Sequence, residues 1–335
     1  MAKDITQTQI DVLNELKERA SSFVGIDIIA RELEISKTRV KAALRELLNW
    51  GYQLEQKSTQ KSELRVKYIA SPDILFPHEI SFGRDEESFG FNIYSFDRVG
   101  STNTLAHKYA ERGEAEGTVV IADRQTAGKG RLGRSWHSPA RTGAYMSIIL
   151  RPEILPTYAP GLSLIAAVSV AEAIRKLYKL KTAIKWPNDV LINDKKAAGV
   201  LTELSAELDH VRYVIVGIGI NINMTEADFP GEIHSRATSI RIASGDKADR
   251  IALVQGILSH FEARYHDFCD SGIAGQIKAI RGYSSILGKR IRFSYRGDNA
   301  EGTAVDIDES GQLLVDLNGE RIAISSGEIT LTDSY

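Results

Sequence analysis

Seven consecutive residues, Gly128-Lys129-Gly130-Arg131-Leu132-Gly133-Arg134, interleave three glycines with three cations. Glycine allows backbone amides to approach an anion closely, and Lys and Arg add charge-assisted hydrogen bonds to carboxylate or phosphate. The chemistry open to such a loop is to gather an anion and cover it. Gly128, Gly130 and Gly133 also spell G-x-G-x-x-G, but the dinucleotide fingerprint requires a helix that opens at the loop. Here Ser135-Trp136-His137-Ser138-Pro139 follows instead. A phosphate loop of the G-x-x-x-x-G-K-[ST] kind is absent. The plainer alternative is a solvated turn with incidental charges.

Three more clusters follow. Lys185-Trp186-Pro187-Asn188-Asp189 sets a stiff proline beside an aromatic and two polar groups that could meet a ligand or a metal; a turn with Trp186 in the core reads equally well. Lys195-Lys196-Ala197-Ala198-Gly199 places paired lysines before an apolar strand. In Gly217-Ile218-Gly219-Ile220-Asn221-Ile222-Asn223, glycines interrupt a β-branched strand, as happens where a ligand approaches the backbone or where a bulge forms. The seven histidines form no Ser-His-Asp, Cys-His or metal-binding pattern, and the single cysteine, Cys269, lies in a helical pattern. Charge stabilisation of an anion, rather than side-chain nucleophilic attack, is the chemistry implied.

The elements that must position these clusters divide the chain in four. Residues 1–70 read as three helices, the last capped by Ser36 and running to Trp50, then a hairpin of Tyr52–Lys57 and Glu63–Ile69; this is the pattern of a winged helix-turn-helix. Residues 71–89, with Pro72, Pro77, Gly83 and a charged run, read as a linker. Residues 90–283 alternate strands and helices, with Leu162–Tyr178 and Ile251–Phe268 the clearest helices. Residues 284–335 return to short strands separated by Gly297, Gly311 and Gly319, which suggests a small β-barrel. The fold class expected is therefore α+β multidomain. A net charge of -2 excludes a nucleic-acid coat, one cysteine excludes a disulfide framework, and the polar N-terminus is no signal peptide. The apolar stretch Leu162–Ala171 is too short to span a membrane, so a cytoplasmic protein is expected.

Taken in order, Ser101-Thr102-Asn103, Gln125 with Gly128–Arg134, Lys185–Asp189, Lys196–Gly199 and Gly217–Asn223 resemble the biotin protein ligases, most closely the bifunctional class that also represses the biotin operon. The flanking domains fit too, the C-terminal one (with Gly288, Gly302, Gly311, Gly327 and Glu328) resembling the family's SH3-like β-barrel and the central one its mixed α/β ligase domain of biotin/lipoate type.

The resemblance implies a two-step reaction, in which biotin and ATP give biotinyl-adenylate and the biotinyl group then passes to a lysine of a biotin carboxyl-carrier protein. It implies catalytic roles for Lys196, Arg131 and Asp189. Biotin would be held by Ser101, Thr102, Asn103, Gln125, Lys129, Gly130, Arg131 and Lys196. The adenylate would be held by Gly128, Lys129, Arg131, Arg134, Trp136, Asn188 and Asn221, with Mg2+ supported by Asp189. Two departures stand out: Lys129 where many members have arginine, which keeps charge but loses bidentate geometry, and His137 where Phe is frequent.

Operator DNA is a second implied partner. Residues 36–67 hold eight Lys or Arg against three Glu. Lys37, Thr38, Arg39, Lys41 and Arg45 are the candidate contacts, mainly to backbone phosphate, since Ala42, Ala43 and Glu46 offer little to base edges. The resemblance also implies a homodimer when adenylate is bound, with Gly143–Leu150 and Arg212–Gly219 as pairing edges. Two rivals are a lipoate-type carrier ligase, whose arginine, glycine and histidine motif is not found, and a non-catalytic ligand-sensing regulator.

Overall fold

The computed structural model describes residues 5–20, 22–58, 63–208, 210–295, 298–325, 327 and 329–332. The chain divides into two compact units, Met1–Ile74 and Leu75–Tyr335.

In the first unit apolar residues recur at helical spacing, and they form α1 (Gln7–Glu18), α2 (Ile26–Glu32) and α3 (Lys37–Asn49). Ser36 starts α3 as read, its hydroxyl accepting from the Arg39 backbone N–H at 3.2 Å. Leu13, Leu16, Ile29, Val40, Leu44 and Leu47 close a core with Val66. A small antiparallel sheet of β1 (Val24–Gly25), β2 (Gln53–Ser58) and β3 (Leu64–Ala70) runs in the order β1-β3-β2. On α3, Lys37, Thr38, Arg39, Lys41 and Arg45 are all exposed, whereas Ala43 is buried and does not share the outer face with Ala42.

Residues 75–89 correct the linker reading. Pro77 opens a short helix, α4 (Pro77–Ile80), where its missing N–H is harmless. Leu75, Ile80 and Phe89 are buried. The charged run contributes a tie rather than a spacer: the Arg84 guanidinium donates to the Phe89 carbonyl (2.8 Å) and the Gln255 carbonyl (2.8 Å), and the Phe89 N–H donates to Glu262 (3.0 Å).

The centre of the second unit is a seven-stranded sheet. Its strands are β4 (Ile93–Phe96), β5 (Val119–Ala122), β6 (Gly143–Leu150), β7 (Thr182–Lys185), β8 (Asp189–Ile192), β9 (Lys195–Ala206) and β10 (Val211–Asn221). They lie in the order β4-β5-β6-β10-β9-β8-β7; β4 and β5 are parallel and the other pairs antiparallel. Because strand side chains alternate between faces, Val120, Ile149 and Ile215 meet α5 (Thr102–Glu111). Val119, Ile148 and Val216 join the larger core with α6 (Pro160–Tyr178) and α9 (Arg250–Ser271). Shorter helices α7 (Gly231–His234), α8 (Ile240–Ser244) and α10 (Ile277–Tyr283) fill the connections. α6 is apolar because its length is buried against the sheet and α9. The strands read as pairing edges for a dimer, Gly143–Leu150 and Arg212–Gly219, are β6 and β10 at the middle of this sheet. Their ladders are already filled on both sides.

The C-terminal strands β11 (Arg290–Tyr295), β12 (Asp298–Ile307), β13 (Leu313–Leu317), β14 (Glu320–Ile324) and β15 (Ile329–Leu331) form an antiparallel sheet in the order β14-β13-β12-β11-β15. No pairing of β14 with β15 closes it into a barrel among the described residues. Nor is residue 284 a boundary between separate bodies: Ile291, Phe293 and Leu313 belong to the same core as α6, and Trp186 Nε1–H donates to the Gly311 carbonyl at 3.0 Å. Gly297 and Glu328 lie outside the described residues.

Candidate active site

One open cleft gathers residues from all five sequence clusters. Its floor is the middle of the sheet. Gly199, Gly217 and Gly219 lie there because the chain's own side chains need the space: a methyl on Gly217 would stand 2.0 Å from Asn103 Oδ1, and one on Gly219 or Gly199 would strike the Trp136 ring at 2.5 or 2.9 Å. The groups that approach the backbone here are the chain's own Asn103 and Trp136, whereas the sequence reading had offered a ligand or a bulge.

The polar wall is a chain of hydrogen bonds at the start of α5. Gln125 Oε1 accepts from the Thr102 N–H (2.8 Å), while Gln125 Nε2 donates to Ser138 Oγ (3.1 Å). Ser147 Oγ donates to Asn103 Oδ1 (2.6 Å) and lies 2.8 Å from Thr102 Oγ1. Ser101, Thr102 and Asn103 are buried and line the cleft with Gln125. Such a wall fixes donors and acceptors before any ligand arrives, as a polar ring system demands.

A cation stands on the sheet side. Asn193 and Asp194 both take positive φ (51° and 60°), which suits the two-residue turn between β8 and β9. The hairpin brings Lys196 Nζ within 2.6 Å of Asp189 Oδ1 and 5.1 Å from the centre of the Trp136 ring. The Lys196 backbone is pinned on both sides, its N–H donating to the Arg236 carbonyl (2.8 Å) and its carbonyl accepting from the Thr238 N–H (2.9 Å).

The glycine-rich loop forms a further wall as a narrow hairpin. The Gly130 N–H donates to the Arg134 carbonyl (2.7 Å) and the Trp136 N–H to the Gly128 carbonyl (2.8 Å). At its tip Leu132 has φ 55° and is 74% exposed, and only the single turn Arg131–Gly133 is helical, so no dinucleotide-type helix follows. Arg131 donates to Asn188 Oδ1 (3.0 Å) and to the Gly327 carbonyl (3.4 Å), linking the loop to the C-terminal segment. Lys129, Gly130, Arg131, Arg134, Trp136, Asn188, Asp189 and Lys196 all line the cleft.

Two expected ligand contacts are not among the lining residues. Asn221 is buried, and its amide nitrogen donates to the Thr238 (3.0 Å) and Lys196 (3.4 Å) carbonyls, so it shapes the lysine's backbone. Gly128 sits at the loop's base, where an added methyl would meet the Trp136 carbonyl at 2.6 Å; it allows the hairpin to close.

Sequence reasoning missed Glu203. This β9 side chain accepts from Asn103 Nδ2 (2.7 Å) and lies 3.7 Å from His107 Nε2 and 3.5 Å from Lys129 Nζ. The His107 ring, then Asn103 and Lys129, outweigh partial burial and hold its carboxyl at about 2. The signal available was a lone carboxylate in the apolar strand that follows the paired lysines. His137, one of the two departures noted above, donates its ring Nε2–H to the Asp228 carbonyl at 2.9 Å, outside the cleft.

Comparison with known proteins places these features. Residues 95–221 match the biotin/lipoate A/B protein ligase family, and residues 286–331 match the biotin protein ligase C-terminal domain. The bifunctional ligase/repressor BirA of Bacillus subtilis is 39% identical over 321 residues, spanning 96% of this chain and 98% of the relative. The biotin–[acetyl-CoA-carboxylase] ligase of Mycobacterium tuberculosis is 34% identical over 69% of this chain and 86% of its own length. Among solved structures, the biotin protein ligase from Aquifex aeolicus in complex with biotin and ATP is similar with a TM-score of 0.62. It is 32% identical and covers 72% of this chain and 99% of its own.

Proposed function

The chain belongs to the biotin protein ligases, and on that premise we propose how its cleft makes biotinyl-adenylate and passes the biotinyl group to a carrier lysine. The observation that carries the reading is that two sets of cations, Lys196 on the sheet and Lys129 with Arg131 on the loop, line one cleft with a prearranged polar wall.

Activation joins two anions. A biotin carboxylate oxygen attacks the α-phosphorus of ATP; the new oxygen–phosphorus bond forms as the bond to the β-phosphate breaks, and pyrophosphate leaves. Lys196 stands where carboxylate and α-phosphate must meet, neutralising charge that would otherwise keep them apart. Asp189 holds the ammonium in place at 2.6 Å. The wall of Ser101, Thr102, Asn103 and Gln125 receives the ureido ring. Lys129, Gly130 and Arg131 cover the phosphate, with Arg134, Asn188 and the Trp136 ring on the nucleotide side; the covered mixed anhydride is kept from water. In the second step a carrier lysine amine attacks the biotinyl carbonyl and AMP departs.

The described residues offer no group of three or more His, Cys, Asp or Glu for a metal, and Asp189 is paired with Lys196. A resident metal does not fit; Mg2+ is best taken as the nucleotide's own counter-ion, carried on its phosphates.

The unit Met1–Ile74 supports a second activity. Three helices and a small sheet, with the cations of α3 exposed, suit a winged helix-turn-helix on operator DNA, Lys37, Thr38, Arg39, Lys41 and Arg45 facing phosphate. With it goes a cytoplasmic homodimer assembled when the adenylate is bound. The C-terminal sheet suits an SH3-like domain that helps close the cleft through Gly327.

A streptavidin blot after incubation with ATP, biotin and a biotin carboxyl-carrier domain tests the ligase reading, and label on the carrier lysine is the expected result. ATP–pyrophosphate exchange driven by lipoate and not by biotin would overturn it in favour of the lipoate-type ligase. DNA binding measured with and without biotinyl-adenylate tests the repressor reading.

A further inference from the structure

Glu203 is not among the residues that line the cleft, yet it touches two that are, Asn103 and Lys129. Asn103 and His107 are four residues apart on α5, so one face of that helix presents both to the carboxylate. Lys129 reaches it from the glycine-rich loop at 3.5 Å. Asn103 is otherwise symmetric enough to flip; a donor from Ser147 at its Oδ1 and an acceptor from Glu203 at its Nδ2 leave one orientation that satisfies both. His107 is steadied in turn by the Tyr213 hydroxyl, 3.4 Å from its Nδ1.

We propose that Glu203 is a positioning residue of the biotin site, fixing the Asn103 amide and holding Lys129 of the covering loop. It touches no reacting atom. Two of its three contacts separate chemically: Asn103 needs only an acceptor, which a glutamine can supply, whereas Lys129 needs the charge. The inference rests on the biotin-ligase reading, and the test keeps the two apart.

The variants are Glu203→Gln and Glu203→Ala, each read in two ways. Trypsin cleavage after Arg131 and Arg134, followed by mass spectrometry in the absence of ligand, reports the loop directly and does not depend on which ligand the cleft takes. Biotin-dependent ATP–pyrophosphate exchange reports KM and kcat. The expected result is faster cleavage, by roughly threefold or more, in both variants, since both lose the charge. KM for biotin rises about threefold in Glu203→Gln and about tenfold in Glu203→Ala, which also loses the Asn103 acceptor, with kcat held within about twofold. In a Lys129→Met background, Glu203→Gln adds nothing to the cleavage rate.

Wild-type cleavage and wild-type KM in Glu203→Ala would overturn the proposal, as would a fall in kcat and melting temperature with KM unchanged, or additivity with Lys129→Met. Wild-type protein that shows no biotin-dependent exchange would instead overturn the functional reading, leaving the cleavage result to judge Glu203.

Discussion

On one wall of the cleft Lys196 stands on β9, its backbone tied at both N and O and its ammonium 2.6 Å from Asp189. On the other, Lys129 and Arg131 ride a hairpin whose tip, Leu132, is left-handed and exposed. The two walls carry the same charge by different means. A cation fixed on a sheet is in place before substrate arrives and costs nothing to orient at the moment of reaction. Cations on a glycine-rich loop must be ordered over the ligand, an entropy cost that ligand contacts offset, and they can let product leave. The fixed wall should therefore govern the chemical step, and the loop should govern binding and retention.

The largest effect expected is from Lys196→Ala. Removing the fixed charge should lower the rate of biotin-dependent ATP–pyrophosphate exchange by about 10³-fold, with biotin affinity by calorimetry changed far less, if the lysine acts between the reacting anions. A loss confined to affinity would erase the distinction between the walls. Arg131→Ala should come next, at roughly 10–100-fold in carrier biotinylation. It should release biotinyl-adenylate into solution, where chromatography detects it with its hydrolysis product. Arg131→Lys should restore only part of this, because the planar guanidinium spans Asn188 Oδ1 and the Gly327 carbonyl and an ammonium cannot do so in the same way. If Arg131→Ala lowers exchange as severely as Lys196→Ala without adenylate escaping, the loop is part of the chemical machinery.

A smaller effect is expected from the floor that both walls share. In Gly217→Ala the new methyl falls 2.0 Å from Asn103 Oδ1, so Asn103 must move. The overpacking should cost about 1–3 kcal/mol of stability, measured by urea denaturation, and should weaken biotin binding in proportion to the displacement of that amide. Unchanged binding in a destabilised protein would show that Asn103 has no part in holding biotin.

The difference between the walls also explains what could be read from sequence. The loop was legible because three glycines and three cations are rare together, and Ser36 as a helix cap and the strands around β6 and β10 follow from local periodicity. What failed was non-local. Residues 75–89 look like a linker by composition, but Arg84 finds carbonyls on Phe89 and on Gln255, far along the chain. Nor does the glycine-interrupted strand show that the Asn221 amide nitrogen holds the Thr238 and Lys196 carbonyls. The position of β6 and β10 at the centre of the sheet rather than its edge depends on strand order, which periodicity does not encode. Glu203 was passed over for the same reason, since its three partners come from α5 and the loop.

The smallest effect expected is the acid response of that carboxylate, the link between sheet and loop. Its carboxyl is held at about 2, below the ordinary value of 4.5, chiefly by the His107 ring, with Asn103 and Lys129 adding to it. A depressed folded-state value means that the charged group stabilises the fold fully above its unfolded value, and that this contribution fades as pH falls from about 4.5 toward 2. Glutamine cannot titrate, so Glu203→Gln lacks that component of the acid limb. The gap in melting temperature between wild type and Glu203→Gln should narrow below about pH 4.5, by on the order of 1–2 °C by pH 3. Scanning calorimetry across that range measures it. Parallel curves would mean that the carboxylate is not held by these partners in solution. The loop cations would then be independent of the sheet, and the two walls would be more different than the ion pair between Lys129 and Glu203 makes them.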